Sequence, residues 1–276
     1  MSKLGIIAGA GQLPRDIVNS CQAANKPLFV MGLEGFADPR DFTDVDFGLV
    51  NIAKAKKARQ LLLGAGVTDV VFAGKVERPS LSSLKPDLLA AKFIAKIGRG
   101  FLGDDGLLKA VKKAFEDEGF KVLAVDEIFM DSKAIKGCWG IHQPGPQSIE
   151  DIKTGFRLAK GLGQLDIGQG VVMQEGLVLA AEAIEGTNRM IIRAGKLARQ
   201  GERPVLVKVR KPQQDRTMDL PAVGLETVET AIAAGFAGIA VEAGSTLVVD
   251  QKAMADRANA AGFFLMGVTE EELSEL

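Results

Sequence analysis

Apolar residues in this chain form short continuous runs, separated by longer stretches in which they recur every third or fourth position. LGIIAG (4–9), PLFVMGL (27–33) and DVVFAGK (69–75) have strand length and little alternation, the pattern of strands covered on both faces. FGLVNI (47–52) is ambiguous by the same test. Helical spacing fills the gaps. One helix runs toward Ala24 with Pro14 in its first turn, and AKKARQLLLGAG closes at Gly64 or Gly66. GLLKAVKKAFEDEGF (106–120) is strongly amphipathic and precedes a strand in VLAVDEIF (122–129).

The second half repeats the alternation. SIEDIKTGFRLAKGLGQLD opens on a Ser148-x-x-Asp151 capping pattern, and TNRMIIRAGKLARQG offers Thr187 as a helix N-cap. Between them QGVVMQEGLVLAAEAIEG is strand-forming and broken at Gly176, which predicts a hairpin or a bulged strand. RPVLVKVRK, GIAVE, TLVVD and FFLMGV read as strands, with helices in ETVETAIAAG and QKAMADRANAAG; the acidic tail TEEELSEL reads as a frayed helix or a disordered end. Strands alternating with helices predict an α/β fold with a mostly parallel sheet. The Gly- and Pro-rich CWGIHQPGPQS (138–148) reads as a connection, giving an N-terminal Rossmann-like domain over 1–137 and a C-terminal α/β domain over 138–276.

Composition narrows the function classes. With 276 residues, 47% of them hydrophobic, the chain can bury a sizeable core. Its 34 basic and 35 acidic side chains leave a net charge of −1, which gives no electrostatic reason to expect nucleic acid as the partner. Two cysteines, Cys21 and Cys138, make no disulfide framework, and a single histidine, His142, rules out chemistry that needs two imidazoles. The opening segment reads as a first strand, not a signal peptide, and no run approaches the roughly 20 apolar residues that cross a bilayer. A soluble or membrane-peripheral cytoplasmic protein is expected.

Candidate chemistry sits at strand ends. In IIAGAGQLP the turn Gly9-x-Gly11-Gln12 can bring backbone N–H groups to an anion; the third glycine of a dinucleotide fingerprint is missing, with Pro14 in its place, which disfavours a nicotinamide cofactor. Gly74 and Lys75 end a strand where ligands of parallel sheets gather. Asp104 and Asp105 open a helix, and capping needs only one of them. Asp166, Gln169, Glu175, Glu182 and Glu185 lie in or beside strand-forming sequence; Glu175 and Glu182 are compatible with a solvated edge. Glu185-Gly186-Thr187 looks more like an anion site at a helix start. In KVRKPQQDRTMDLPAVG (208–224), Lys208, Arg210 and Lys211 precede Asp215 and Asp219: cations to offset phosphate charge, and carboxylates suited to a metal bridged to it. Pro221 holds the residue before it extended.

These stretches together resemble the UDP-2,3-diacylglucosamine pyrophosphatase family of lipid A biosynthesis, the type distinct from the metallophosphoesterase that performs the same step. The likeness is carried by LDIGQGVVMQEGLVLAAEAIEGT, KPQQDRTMDLPAVG, AGIAVEAG, IIAGAGQLP, FAGKVERP and GDDGLL, and runs to about residue 268. It implies two α/β domains with a ligand cleft between them. It also implies Mg²⁺-dependent hydrolysis of a lipid-linked sugar nucleotide to UMP and 2,3-diacylglucosamine 1-phosphate, with Asp219 of the Asp-Leu-Pro motif as the catalytic carboxylate. One departure stands out: Ala222 occupies the position after the proline where the family usually carries threonine.

On this reading Asp219 holds Mg²⁺ or orients water, with Asp104 or Asp105 as further acids. Gly9, Gly11, Gln12, Gly74, Lys75, Gln169, Glu185, Gly186, Thr187, Lys208 and Lys211 then contact substrate. LLAAKFIAKIGRGFL (88–102) and GFAGIAV are candidates to line an acyl-chain cavity, and the first also to touch the inner membrane surface. Self-association is compatible with the sequence. The competing reading is a non-catalytic binding protein for a sugar nucleotide or lipid phosphate.

Overall fold

The computed structural model describes residues 2–76, 86–91, 104–128, 133–212, 220–248 and 250–275. They divide into two compact units, one reaching residue 128 and the other starting at 133. The expected boundary at 137/138 lies a few residues further along the chain.

In the first unit, β1 (Lys3–Ala8), β2 (Leu28–Leu33), β3 (Phe47–Val50), β4 (Val67–Ala73) and β5 (Lys121–Leu123) form one parallel sheet in the order β3-β2-β1-β4-β5. The ambiguous run at 47–52 is therefore an edge strand. Helices α1 (Leu13–Ala23), α2 (Ala55–Gly64) and α3 (Asp104–Asp117) connect them. The central strand β1 is buried from Leu4 onward, which explains why its apolar run does not alternate. Phe115 of α3 meets Phe72 of β4 edge to face, with ring centroids 5.0 Å apart.

The strand expected over 122–129 is shorter than its apolar content suggests. Glu127 Oε1 accepts the N–H of Ala124 at 2.9 Å and turns the chain into a 3₁₀ helix at Val125–Glu127.

The second unit carries a six-stranded mixed sheet. Its strands are β6 (Gly137–Cys138), β7 (Gly170–Gln174), β8 (Leu177–Ala181), β9 (Val205–Lys208), β11 (Gly238–Glu242) and β13 (Phe264–Val268), in the order β6-β13-β11-β9-β7-β8. Strands β9, β11 and β13 run parallel, while β6 and β7 run against their neighbours. The segment 138–148, expected as a connection, belongs to this unit: Cys138 pairs with Met266, and Trp139 packs on the core with its indole N–H donating to Ile135 O. Leu247–Val248 (β12), the strand read in TLVVD, lies outside the large sheet. It pairs with Ala222–Val223 (β10) in a separate two-stranded sheet.

Alternate residues of the large sheet feed two cores. Val172, Leu206, Ile239 and Leu265 point to one face, where α5 (Thr187–Gly195), α6 (Leu225–Ala233) and α7 (Gln251–Ala260) pack. Val171, Met173, Val207 and Ala240 point to the other, against Ile152 and Phe156 of α4 (Pro146–Gln164). Phe236, Ile239 and Val241 of GFAGIAV lie in the first of these cores and Ala240 in the second, so that run is ordinary core. The last helix, α8 (Glu270–Glu275), is formed where the sequence left a frayed or disordered end open.

Two helix starts differ from expectation. Gly145, not Ser148, is the N-cap of α4, with Pro146 in its first turn. Gly186, at φ 78°, precedes α5, and Thr187 is already helical. The interruption at Gly176 is a hairpin: Glu175 and Gly176 both take positive φ, and their N–H groups donate to the buried Asp151 carboxylate at 2.9 and 2.7 Å.

Candidate functional site

Two polar constellations form, one in each unit. In the first unit the strand order reverses between β1 and β4, and ligands of open parallel sheets bind outside such a reversal. There Ala10 N donates to Lys75 O and Lys75 N to Ala10 O, each at 2.8 Å. A Cβ on Gly9 would lie 2.5 Å from Lys75 O, and one on Gly74 2.7 Å from Ala10 O, so both glycines are needed for backbone to meet backbone. The structure thus gathers Gly9, Gly11, Gln12, Gly74 and Lys75 at one edge. It also spends the Gly9 N–H on Ala73 O and that of Ala10 on Lys75 O, leaving Gly11, Gln12 and Lys75 as the exposed part of the turn.

In the second unit the polar groups cluster at the carboxyl ends of β9 and β11 and the start of the antiparallel β7. Lys208, at the end of β9, is only 6% exposed; its Nζ donates to Thr187 Oγ1 at 2.8 Å and to Ala222 O at 3.1 Å. The Thr187 hydroxyl donates in turn to Glu182 Oε1 at 2.6 Å. The Gln169 N–H lies 3.3 Å from Glu182 Oε2. Glu182 is buried, which corrects the solvated-edge reading: a carboxylate in this position is sustained by donors on both oxygens. Room for it comes from Gly168 and Gly170, since a Cβ on Gly168 would sit 2.1 Å from Glu182 O.

Beside this chain of contacts, Lys160 of α4 holds Glu242 of β11 at 2.7 Å, and the Arg210 N–H donates to Glu242 Oε2 at 2.7 Å. Lys211 pairs with Asp166 at 2.7 Å. Glu185 does not join the cluster. It is paired with Arg193, whose hydrogen bond holds its carboxyl below the usual range. Two buried polar atoms at this edge, Gln169 Oε1 and Arg210 Nε, have no hydrogen-bond partner among the described residues.

Sequence reasoning named Gln169, Thr187, Lys208 and Lys211, and the structure brings these near one sheet edge. It missed Glu182, Glu242 and Lys160 as members of the cluster. Glu182 had a signal, an acid inside an apolar run, which implies a buried partner. Lys160 and Glu242 meet only through the tertiary packing of α4 on β11. Asp219 lies outside the described residues, as do the side chains of Asp104 and Asp105 at the start of α3 and most of the stretch 88–102.

The described carboxylates at this sheet edge are engaged by protein partners. Glu182 and Glu242 spend both oxygens on protein donors, Asp166 is paired with Lys211, and no group of three metal-ligating side chains forms among the described residues. No helix among them is long and apolar enough to cross a membrane.

An α/β protein of two units, with a buried cation and carboxylate network at a sheet edge, is a class that many enzymes share. Comparison with known proteins is more specific. Residues 3–132 match the LpxI N-terminal domain and residues 135–266 the LpxI C-terminal domain. The UDP-2,3-diacylglucosamine pyrophosphatase LpxI of Caulobacter vibrioides is 41% identical over 281 positions, covering 99% of each chain. The chain belongs to the LpxI family.

Proposed function

We propose that this chain, a hydrolase like its Caulobacter relative, cleaves the diphosphate of UDP-2,3-diacylglucosamine in lipid A synthesis. The observation that carries the proposal is 41% identity across 99% of both chains, too extensive to reflect a shared fold alone. Water attacks the sugar-side phosphorus, the bridging P–O bond breaks, and UMP leaves with the bridging oxygen. The product 2,3-diacylglucosamine 1-phosphate keeps the oxygen from water.

Asp219 is assigned to orienting that water or holding the metal, with Asp104 or Asp105 as additional acids. Mg²⁺ is part of the proposal. Because Glu182, Glu242 and Asp166 are committed to protein partners, it would be held by Asp219 and substrate oxygens, with water completing its shell. When bound, such an ion offsets charge on the diphosphate. Lys208 is assigned an orienting role: its amine is engaged by Thr187 and by Ala222 O, three positions beyond Asp219. Binding of the acyl chains and contact with the membrane surface belong to the same reading.

The test is incubation with UDP-2,3-diacylglucosamine and Mg²⁺, with and without chelator, following UMP. Turnover that chelator stops and Asp219→Ala abolishes supports the proposal. Saturable binding without UMP would favour a non-catalytic binding protein, and heavy oxygen from water appearing in UMP would contradict the assigned point of attack.

A further inference from the structure

Three cations lie at the carboxyl end of β9, the end where ligands of parallel strands gather: Lys208, Arg210 and Lys211. Residue type alone makes them equivalent as partners for phosphate. Their surroundings do not. Lys208 is buried and donates to Thr187 Oγ1 and Ala222 O, and Lys211 is paired with Asp166. Arg210 differs from both, because its Nε is a buried donor without a hydrogen-bond partner among the described residues.

The carboxylate best placed to neutralise Arg210 is already occupied. Glu242 accepts Lys160 Nζ on its two oxygens at 2.8 and 2.7 Å, and its Oε2 also takes the Arg210 backbone N–H at 2.7 Å. Lys160 Nζ donates in addition to Arg210 O at 3.2 Å. One ion pair thus fixes both backbone groups of Arg210 while its own charges cancel. Lys160 thereby keeps Glu242 from capturing the guanidinium.

A guanidinium N–H that has left water without gaining an acceptor is costly, and an anion removes that cost. The planar fork of arginine suits phosphoryl oxygens, to which it can make two parallel hydrogen bonds. Gln169 Oε1, the other buried atom at this edge without a partner, is an acceptor that does not bond Arg210. A water bridging the two is the rival occupant.

We infer that Arg210 is a further substrate-binding residue, donating to a phosphoryl oxygen of the diphosphate, and that Lys160 and Glu242 are positioning residues that present it. The inference rests on the reaction proposed above. Its test is steady-state UMP release from UDP-2,3-diacylglucosamine, with the fold of each variant followed by Trp139 fluorescence. Arg210→Met should lower kcat/KM about ten- to a hundredfold, the worth of a charged hydrogen bond. Arg210→Lys should stay impaired, since an ammonium places no donor at the Nε position. Lys160→Met frees Glu242 to pair with Arg210 and should also lower kcat/KM. Adding Glu242→Gln to Lys160→Met should restore much of that loss, which a merely structural role would not do.

Calorimetric titration with inorganic pyrophosphate at constant ionic strength separates this inference from the reaction. Pyrophosphate affinity that falls about tenfold in Arg210→Met supports the residue even if the parent chain releases no UMP, a result that would remove the proposed reaction alone. Equal kcat/KM and equal pyrophosphate affinity in the parent and Arg210→Met, as a bridging water predicts, would overturn the inference. So would a parent chain that neither releases UMP nor binds pyrophosphate.

Discussion

Replacing Lys208 with Met tests the buried polar chain most directly. Met keeps the apolar stem but deletes a cation that donates to Thr187 and to Ala222 O, and it leaves the buried Glu182 with neutral donors only. Losing charged hydrogen bonds and stranding a buried charge costs about 3–5 kcal/mol when the partner cannot reach water. The second unit reports its own unfolding. Trp139 is the sole tryptophan, the chain has no tyrosine, and the indole packs against this unit's core. Urea unfolding followed by Trp139 fluorescence therefore avoids the failure of two-state behaviour in a chain of two units. At roughly 2 kcal/mol/M, the midpoint should fall by about 1.5–2.5 M. Glu182→Gln in the Lys208→Met background should recover part of the loss, giving a coupling of about 1–3 kcal/mol in the double-mutant cycle. A single-variant loss below about 1 kcal/mol, or strict additivity, would refute the idea that these charges sustain each other.

Other expectations follow from local geometry. Gly155→Ala would set a Cβ 2.8 Å from Val207 Cγ2 and 3.0 Å from Met173 Cγ, pushing α4 off the sheet; a loss of about 1–3 kcal/mol by the same fluorescence assay is expected. Gly74→Ala combines φ 90° with a Cβ 2.7 Å from Ala10 O, so it should lower the melting temperature of the first unit, read by circular dichroism. Hydrogen bonds from Arg15 and then Gln22 hold the Asp44 carboxyl well below its usual range. Its stabilisation is thus fully present above about pH 4 and lost as pH falls through the depressed folded value, and the stability gap between Asp44→Asn and the parent chain should close in acid.

Most strands of both main sheets were legible because continuous apolar runs leave few alternatives for a chain that must cover a sheet on both faces; the exceptions are edge strands, β3 in an ambiguous run and β6 in a segment read as a connection. Caps were less so. Ser148 and Thr187 have the side chains of N-caps, yet glycine takes both positions, because Pro146 fixes one start and the positive φ of Gly186 the other. Strand length failed at 122–129, where Glu127 folds back onto Ala124. Leu247–Val248 read as a strand, but no local pattern points to its partner, the short segment after Pro221. At the candidate site, residue types were readable and their commitments were not. Lys208 reads as a phosphate-seeking cation until Thr187, Glu182 and Ala222 are found around it. Those contacts join residues far apart in sequence, and no local pattern encodes them.

The two-residue strand β6 has a consequence for how the molecule is made. Cys138 pairs with Met266, so the first strand of the second sheet waits for the last one to be synthesised. At translation rates of about 5–20 residues per second, that wait is on the order of ten seconds. During it the edge of β13 has not yet been built, and Trp139 has no finished core to enter. The first sheet, whose strands end at Leu123, faces no comparable delay. Nascent chains of this protein should therefore depend on chaperone shelter mainly for their second half.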